Sequence, residues 1–422
     1  MSQTKSESRR EHSSAGQHHG AAMKKGWHTK TLGEVLEKTE TVNPIQSPNV
    51  EFDYIDVSSV SNTTFEIEET QRLKGKDAPS RARKLVRTND IIFATIRPTL
   101  QRIAVVPEHL DQQICSTGYF VLRPKQGIDH RFVFYSLFTE DFIGQMESLQ
   151  KGASYPAVTD GDVRAQVIPV PPLPEQQRIV GLLDEAFEGL ATAKANAEKN
   201  LQNARALFES HLQSVFTQRG PAWVEKGKPL SELCDLIVDC EHKTAPIQED
   251  GFPSIRTPNV GKSKLLLEGV NRVSEETYKA WTRRAEPLAG DLILAREAPA
   301  GNVAVIPENT RVCLGQRTVL IRPKADVFDP SFLAFRLLEP QMQEKLLAHS
   351  RGATVQHVNM KDIRALDVGA IPPLRVQQQI AANVNAVSAE GERLARLYER
   401  KLAALDALKK SLLQQAFTGQ LH

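Results

Sequence analysis

The sequence predicts an α+β protein: two mixed α/β, β-rich domains, separated by two long helices that pack together as a coiled coil. Three observations carry this expectation. The chain repeats its own landmarks after about two hundred residues; each copy passes through short apolar runs punctuated by Gly and Pro; and each copy closes on some forty residues nearly free of helix breakers. Self-similarity at a fixed period outranks local secondary-structure signals, because it sets how many scaffolds must be explained.

Composition bounds the answer. A chain of 422 residues is long for one core and suits two or three domains. Hydrophobic residues at 40% and charged residues at 25% describe an ordinary soluble protein. No apolar run is long enough to cross a membrane. Residues 1–23 have a polar start and no apolar core, so they read as a disordered tail rather than a secretory signal. Cys115, Cys234, Cys240 and Cys313 lack close metal-ligand spacing, so reduced thiols and no metal site are expected. A formal charge of +2 neither identifies nor excludes nucleic acid as a partner.

The first domain is expected over residues 24–174. "FDYIDVSSV" (52–60) alternates like a strand, and a basic segment containing Lys76, Arg81 and Arg83 follows. "NDIIFATIRPTLQRIAVVPE" (89–108) and "GYFVLRPK" (118–125) read as short strands cut by turns. Phe134, Leu137, Phe138, Phe142 and Met146 recur at helical spacing and predict a helix over 131–149. In "IPVPPLPEQQRI" the prolines fix an extended segment, and Pro174 suits the first turn of a helix over 175–217. Its apolar stripe includes Ile179, Leu183, Ala186, Leu190, Leu201 and Leu212. At 1.5 Å per residue such a helix spans about 65 Å, the length of a coiled coil rather than a globular helix.

A linker over 218–227 precedes the restart. "LGEV" at 32–35 returns as "LSEL" at 230–233, and "NDIIFA" at 89 as "GDLILA" at 290. "AVVPE" at 104 returns as "AVIPE" at 304, "LRPK" at 122 as "IRPK" at 321, and "PPL" at 171 as "PPL" at 372. The second domain is expected over 228–376, with a second long helix and tail over 377–422 carrying Ile380, Val384, Val387, Leu394, Leu405 and Leu412. Gly391 interrupts it at a cost of about 1 kcal/mol relative to Ala. Neither stripe can be hidden from water alone, and packing the helices on each other is the economical solution, in a direction that patterning leaves open.

Chemistry is scarce. There is no G-x-G-x-x-G, P-loop or H-E-x-x-H signature, and Asp239, Glu241 and His242 read as a surface loop, so no active site is assigned. The interiors of the copies differ, most clearly between residues 40–80 and 240–280. Arg and Lys can hold phosphates, while Arg, Asn and Gln can read base edges. On that basis Lys76, Arg81, Arg83, Arg97, Arg102, Ser154 and Tyr155 are the DNA-binding candidates of the first half. Those of the second are Asn259, Lys262, Arg283, Arg284, Arg296, Gln356, His357 and Asn359. Arg97 and Arg296 follow apolar runs at similar points of the repeat; the glycine loops at 152–154 and 352–354 either approach the target or only bend the chain before the prolines.

Two diverged domains, each ending in a glycine loop, a "PPL...QQ.I" segment and a helix terminating near "FTG", resemble the specificity (S) subunit of type I restriction-modification enzymes. The resemblance covers residues 24–422; the second copy ends "LLQQAFTGQL", whereas the first departs with "VFTQRG". It implies a non-catalytic subunit in which each domain is a target-recognition domain for one part of an asymmetric, bipartite double-stranded DNA sequence. The helices would form an antiparallel coiled coil that sets the gap and docks two DNA-methyltransferase (M) subunits, with restriction/translocase (R) subunits joining the full complex. By the same resemblance this chain binds no cofactor, its partners use S-adenosylmethionine and ATP with Mg, and the assembly is cytoplasmic in a prokaryote. The competing expectation is a coiled-coil protein-interaction adaptor without DNA readout.

Overall fold

The computed structural model describes residues 24–225, 227–348 and 356–421; the expected tail at 1–23 and the turn at 352–354 lie outside them. The chain divides into two compact units, one of Met1–Asn196 with Lys401–His422, the other Ala197–Arg400. Each unit therefore holds one β-rich domain and a stretch of both long helices.

In chain order the first unit contains β1 (His28–Thr31), α1 (Leu32–Val35), β2 (Glu51–Ile55), β3 (Gln71–Lys74), β4 (Ala82–Leu85) and β5 (Ile91–Ala94). Then come β6 (Ile103–Val105), β7 (Ile114–Ser116), β8 (Tyr119–Leu122), α2 (His130–Ser136), α3 (Glu140–Leu149), α4 (Asp160–Arg164) and β9 (Val167–Val170). The first long helix is α5 (Leu173–Thr217). The strands form sheets ordered β3-β2-β7-β4 and β6-β5-β8, with β1 paired to β9. The helix expected over 131–149 is two helices: the Thr139 side chain accepts from the Phe142 amide and starts α3 anew.

The second unit repeats this plan with β10 (Val224–Glu225), α6 (Leu230–Leu233), β11 (Cys234–Asp239), β12 (Phe252–Ile255), β13 (Ser263–Lys264) and β14 (Arg272–Val273). It continues through α7 (Glu275–Trp281), β15 (Leu292–Ala295), β16 (Val303–Val305), β17 (Cys313–Leu314), β18 (Thr318–Pro323), α8 (Pro330–Leu338), α9 (Pro340–Leu346), α10 (Met360–Ala365) and β19 (Ala370–Ile371). The second long helix is α11 (Leu374–Thr418). Its main sheet runs β11-β18-β15-β16-β13.

The repeated apolar runs are the central strands. On β5, Ile91 and Phe93 enter one core while Ile92 and Ala94 enter another. On β15, Leu292 and Leu294 likewise separate from Ile293 and Ala295. A strand buried on both faces cannot alternate with polar residues, which is why "IIFA" and "LILA" read as unbroken apolar runs.

The repeated polar letters are fastenings. The Asp90 carboxylate accepts from Arg123 Nε and Nη2 at 2.9 and 2.7 Å and from the Arg87 amide at 2.8 Å. Asp291 does the same with Arg322 at 2.8 and 2.7 Å and with the Leu288 amide at 2.9 Å. Lys125 and Lys324 of the "RPK" segments donate to the carbonyls of Glu34 and Glu232 in α1 and α6. Gln176, buried at the start of α5, donates to the Pro171 carbonyl and accepts from the Asp129 amide, both at 2.8 Å. Gln377 repeats both bonds with Pro372 and Asp329 at 2.9 Å. Because Asp129 and Asp329 cap α2 and α8, this glutamine clamps each domain to the helix that follows it.

Both long helices begin slightly before residues 175 and 377, at Leu173 and Leu374. Pro174 falls in the first turn, where no amide donor is needed. In the first unit Arg178 donates to the Leu421 carbonyl and Lys194 pairs with Asp406; in the second, Arg205 pairs with Glu399 while Leu212 and Phe216 share a core cluster with Ala381 and Val384. Within each unit the helix stretches are thus antiparallel. Ile179, Leu183, Leu212 and Val384 are buried, while Ala186, Leu190, Leu201, Ile380, Val387, Leu394, Leu405 and Leu412 are half-buried. Gly391 is the close crossing: a Cβ there would stand 3.1 Å from the Ala204 carbonyl oxygen.

All four cysteines are buried and unbridged, and burial pushes the thiols of Cys115 and Cys234 up to about 12. Since the thiolate is the nucleophile, the native protein is expected to leave a disulfide-exchange reagent nearly unconsumed at neutral pH, whereas the unfolded chain consumes it rapidly. A native thiol reacting at the unfolded rate would contradict this packing.

Candidate nucleic-acid interface

Arg97, Ser154 and Tyr155 in the first half, and Arg296, Gln356, His357 and Asn359 in the second, fall at one end of a central strand and on the loop beside it. After β5 the chain turns through Arg97, whose φ of 50° is left-handed. Its amide donates to the Pro156 carbonyl at 2.7 Å, its Nη2 to the Ser154 carbonyl at 3.4 Å, and its guanidinium lies 5.4 Å from the Tyr155 ring centroid. Reciprocal bonds between Lys151 and Ala157 at 2.9 Å close the loop that carries Ser154 and Tyr155. Gly152 permits it with a φ of 104°; a Cβ there would lie 3.0 Å from the Tyr155 carbonyl oxygen. Tyr155 is 73% exposed, an aromatic face offered to solvent beside a cation.

The other first-half candidates separate from this group. Lys76 follows β3 and Arg81 precedes β4; both are exposed and belong to the other sheet. Arg83 donates to the Ala82 carbonyl at 2.9 Å. Arg102 is spent on the backbone, its Nη1 donating to the carbonyls of Val57, Ser58 and Val60 at 3.3, 3.3 and 2.6 Å.

The second half builds a connected polar network. Arg296, its side chain only 12% exposed, pairs with Asp239 at 2.8 Å, donates from Nε to the Val358 carbonyl at 2.9 Å and meets His357 Nε2 at 3.0 Å. His357 Nδ1 lies 2.9 Å from Glu297, which pairs with Arg317 at 2.9 Å; His242 lies 3.2 Å from Asp239. The tautomer of His357 follows from which neighbour it serves. Arg296 therefore joins the end of β11 to the segment carrying Gln356 and His357. Gln356 is exposed, and Asn359 donates to Asp362 at 3.2 Å just before α10.

Arg284 donates to the Cys240 carbonyl at 3.1 Å and lies 3.4 Å from Glu241, whereas Arg283 stands 3.8 Å from Glu241 with 78% of its side chain exposed. Asn259 closes a turn, accepting from the Arg256 amide at 3.1 Å and donating to the Leu266 carbonyl at 3.4 Å. Lys262 reaches α5 through an ion pair with Glu209, and Lys264 reaches α11 through Glu392.

Aligned on their central strands, Arg97 stands level with Ala298, both left-handed and each followed by Pro, so Arg97 and Arg296 lie two places apart in the repeat. The level of Arg296 is occupied in the first half by Thr95, whose hydroxyl donates to the Gly118 carbonyl at 3.0 Å. Asp239, read from sequence as part of a surface loop, is the acceptor on which Arg296 turns, and Glu297 and Arg317 complete a network that local motifs do not mark. Among the described residues no group of three His, Cys, Asp or Glu side chains could hold a metal ion, and no helix is long and apolar enough to cross a membrane.

Comparison with known proteins agrees with this repeated architecture. Residues 24–201 and 230–397 each match the family described as "Type I restriction modification DNA specificity domain". The type I restriction enzyme EcoBI specificity subunit of Escherichia coli is 21% identical over 338 residues, 75% of this chain and 70% of that one. The MjaVIII specificity subunit of Methanocaldococcus jannaschii is 23% identical over 330 residues, 73% and 74% of the two chains. The HsdS subunit from Thermoanaerobacter tengcongensis superposes with a TM-score of 0.66 at 30% identity, covering 94% of this chain and 98% of that one. A chain solved in work on complex assembly and conformational transition of the type I R-M system superposes at 0.78 with 29% identity, covering 95% and 100%.

Proposed function

The chain belongs to the type I restriction-modification DNA specificity family, and from that premise we propose that it supplies a type I complex with its DNA sequence, reading one part of an asymmetric bipartite target with each domain. The observation that carries this is the contrast between like scaffolds and unlike tips. The Asp–Arg, Lys–carbonyl and Gln clamps recur, while the end of β5 presents Arg97 with Tyr155 and the end of β15 presents the Asp239–Arg296–His357–Glu297 network. Two equal scaffolds with different donor and acceptor patterns suit two different half-sites.

In this reading Arg97, Lys76, Arg81 and Arg283 contact phosphate or base edges, Gln356 and Asn359 read bases, and Arg296 positions the segment that carries Gln356. Arg102 and Asn259 hold turns rather than DNA. Two methyltransferase subunits dock on the helices and restriction subunits complete the assembly, in the cytoplasm. S-adenosylmethionine and ATP with Mg serve those partners, and the methyltransferase extrudes its target adenine to reach it.

The test is duplex binding and methylation-site mapping by the assembled methyltransferase–specificity complex. The logarithm of the affinity is expected to fall linearly with the logarithm of salt concentration. Gln356→Ala is expected to relax selectivity at the second half-site alone by about 1–3 kcal/mol, with the first half-site still read at full stringency. A complex that prefers no duplex sequence, or a variant that relaxes both halves equally, would sink the proposal.

A further inference from the structure

A cavity of about 830 Å³ opens in the first unit between the loop at 63–67, α2 and the stretches of α5 and α11 that belong to that unit. Its size falls in the range of small-molecule sites. The walls are aromatic: Phe65 meets Phe138 at 4.7 Å, Phe134 meets Phe138 at 5.0 Å, and Tyr135 meets Phe187 at 5.5 Å between ring centroids. Over these rings stands Lys409, its ammonium 5.1 Å from the centroid of Phe65 and 5.2 Å from that of Phe187.

An ammonium carries three donors. Among the described residues none of them finds an acceptor here: Asp406, on the same helix, is held by Lys194 at 3.0 Å. Burial, reinforced by Lys194, holds Lys409 below the ordinary lysine range. The other wall cation, Arg131, is neutralised by Asp184 at 2.8 Å. At the loop side stand Thr63, Thr64, whose hydroxyl donates to Glu68 at 2.9 Å, and Glu66, whose carboxylate accepts only and so suits a base or sugar rather than a phosphate.

The hollow is not a requirement of the scaffold. The long helices repeat with an offset of 201 residues, which places Phe208 at the level of Lys409, Ser388 at that of Phe187 and Glu392 at that of Ala191. In the second unit the half-buried Phe208 packs against the core, on Phe335 at 6.0 Å, and Glu392 receives Lys264. The first unit has a cation where the second has a phenyl ring packed against the core.

We infer that this hollow binds a small planar aromatic anion, and that a nucleoside phosphate is the class it fits: the base lies against the phenyl rings while the phosphate pairs with the Lys409 ammonium. Base–aromatic stacking tolerates any base, and the charge-assisted bond supplies what the lysine lacks. A free nucleotide and a nucleotide within a single strand share this chemistry. The inference is independent of which DNA sequence the domains read.

Calorimetric titration of the full-length protein with adenosine monophosphate, adenosine, inorganic phosphate and a single-stranded oligodeoxyadenylate tests it. Adenosine monophosphate or the oligonucleotide is expected to bind, the first assigning the site to a free nucleotide and the second to a strand. Lys409→Met, which keeps the apolar stem, is expected to weaken binding at least about tenfold. Ala191→Trp, at an exposed position on the wall, is expected to abolish it by filling the hollow. Adenosine binding as tightly as its phosphate, phosphate alone competing fully, binding unmoved by both variants, or no binding at millimolar ligand overturns the inference. Duplex binding by the same variants is expected to be unchanged, so failure at the hollow and failure of DNA reading give different results.

Discussion

Asp90→Ala is expected to lower the stability of the first unit by about 3–5 kcal/mol, the usual cost of removing one partner from a buried ion pair. Asp90 is 1% exposed and loses three bonds at once, two from the Arg123 guanidinium and one from the Arg87 amide. Among the described residues Arg123 then keeps only Glu40 as an acidic partner, at 2.7 Å toward solvent, and the turn that leads into β5 loses its acceptor. Asp90→Asn keeps an acceptor for that turn and is expected to fall between wild type and Asp90→Ala. Asp90→Leu with Arg123→Met, which removes both charges, is expected to recover part of the loss, because a buried pair is worth little against well-packed apolar groups. Two units need not unfold together. Denaturant unfolding should therefore be followed by Trp27 fluorescence after Trp223→Phe and Trp281→Phe, since only Trp27 lies in the first unit. A cost below about 1 kcal/mol, the net worth of an ordinary hydrogen bond, would show that the repeated Asp and Arg do not fasten the sheet.

The same fastening explains how much of this protein is legible in its sequence. A motif that serves the scaffold must keep its letters in order, because Asp90, Arg123, Lys125 and Gln176 each answer to a partner fixed by the fold. Their counterparts Asp291, Arg322, Lys324 and Gln377 therefore stand at nearly constant offsets, and the repeat exposes them. Helix stripes are equally legible, being set by one element's own periodicity. The interface is not. Arg97, Arg102 and Arg296 are the same letter after or between apolar runs, yet one is exposed beside Tyr155, one is consumed by three carbonyls, and one is half-buried on Asp239. Whether a guanidinium is free for a ligand depends on acceptors 42 to 62 residues away, which no local pattern displays. The split at Thr139 escaped for a simpler reason: apolar spacing carries through a cap that changes only the hydrogen bonding.

Removal of one helical turn from each long helix, residues 200–203 of α5 and 397–400 of α11, is expected to shorten the preferred gap between half-sites by one to two base pairs. The deleted stretches are matched, because within the units Lys194 faces Asp406 and Arg205 faces Glu399. Four residues remove about 6 Å of rise, the length of nearly two base pairs at about 3.4 Å each. They also remove about 400° of helix, about 40° beyond one full turn, whereas one base pair rotates the duplex by about 36°. Rise and rotation thus bracket the shortening of the gap between one and two base pairs. The clamps at Gln176 and Gln377 and the tips of β5 and β15 lie outside the deletions, so each half-site should keep its letters. Mapping methylated sites in DNA exposed to the assembled complex separates the outcomes. A shorter gap with unchanged half-sites supports helices that set the distance between two reading domains. Altered half-site letters with the original gap would mean that the helices influence reading directly and measure nothing.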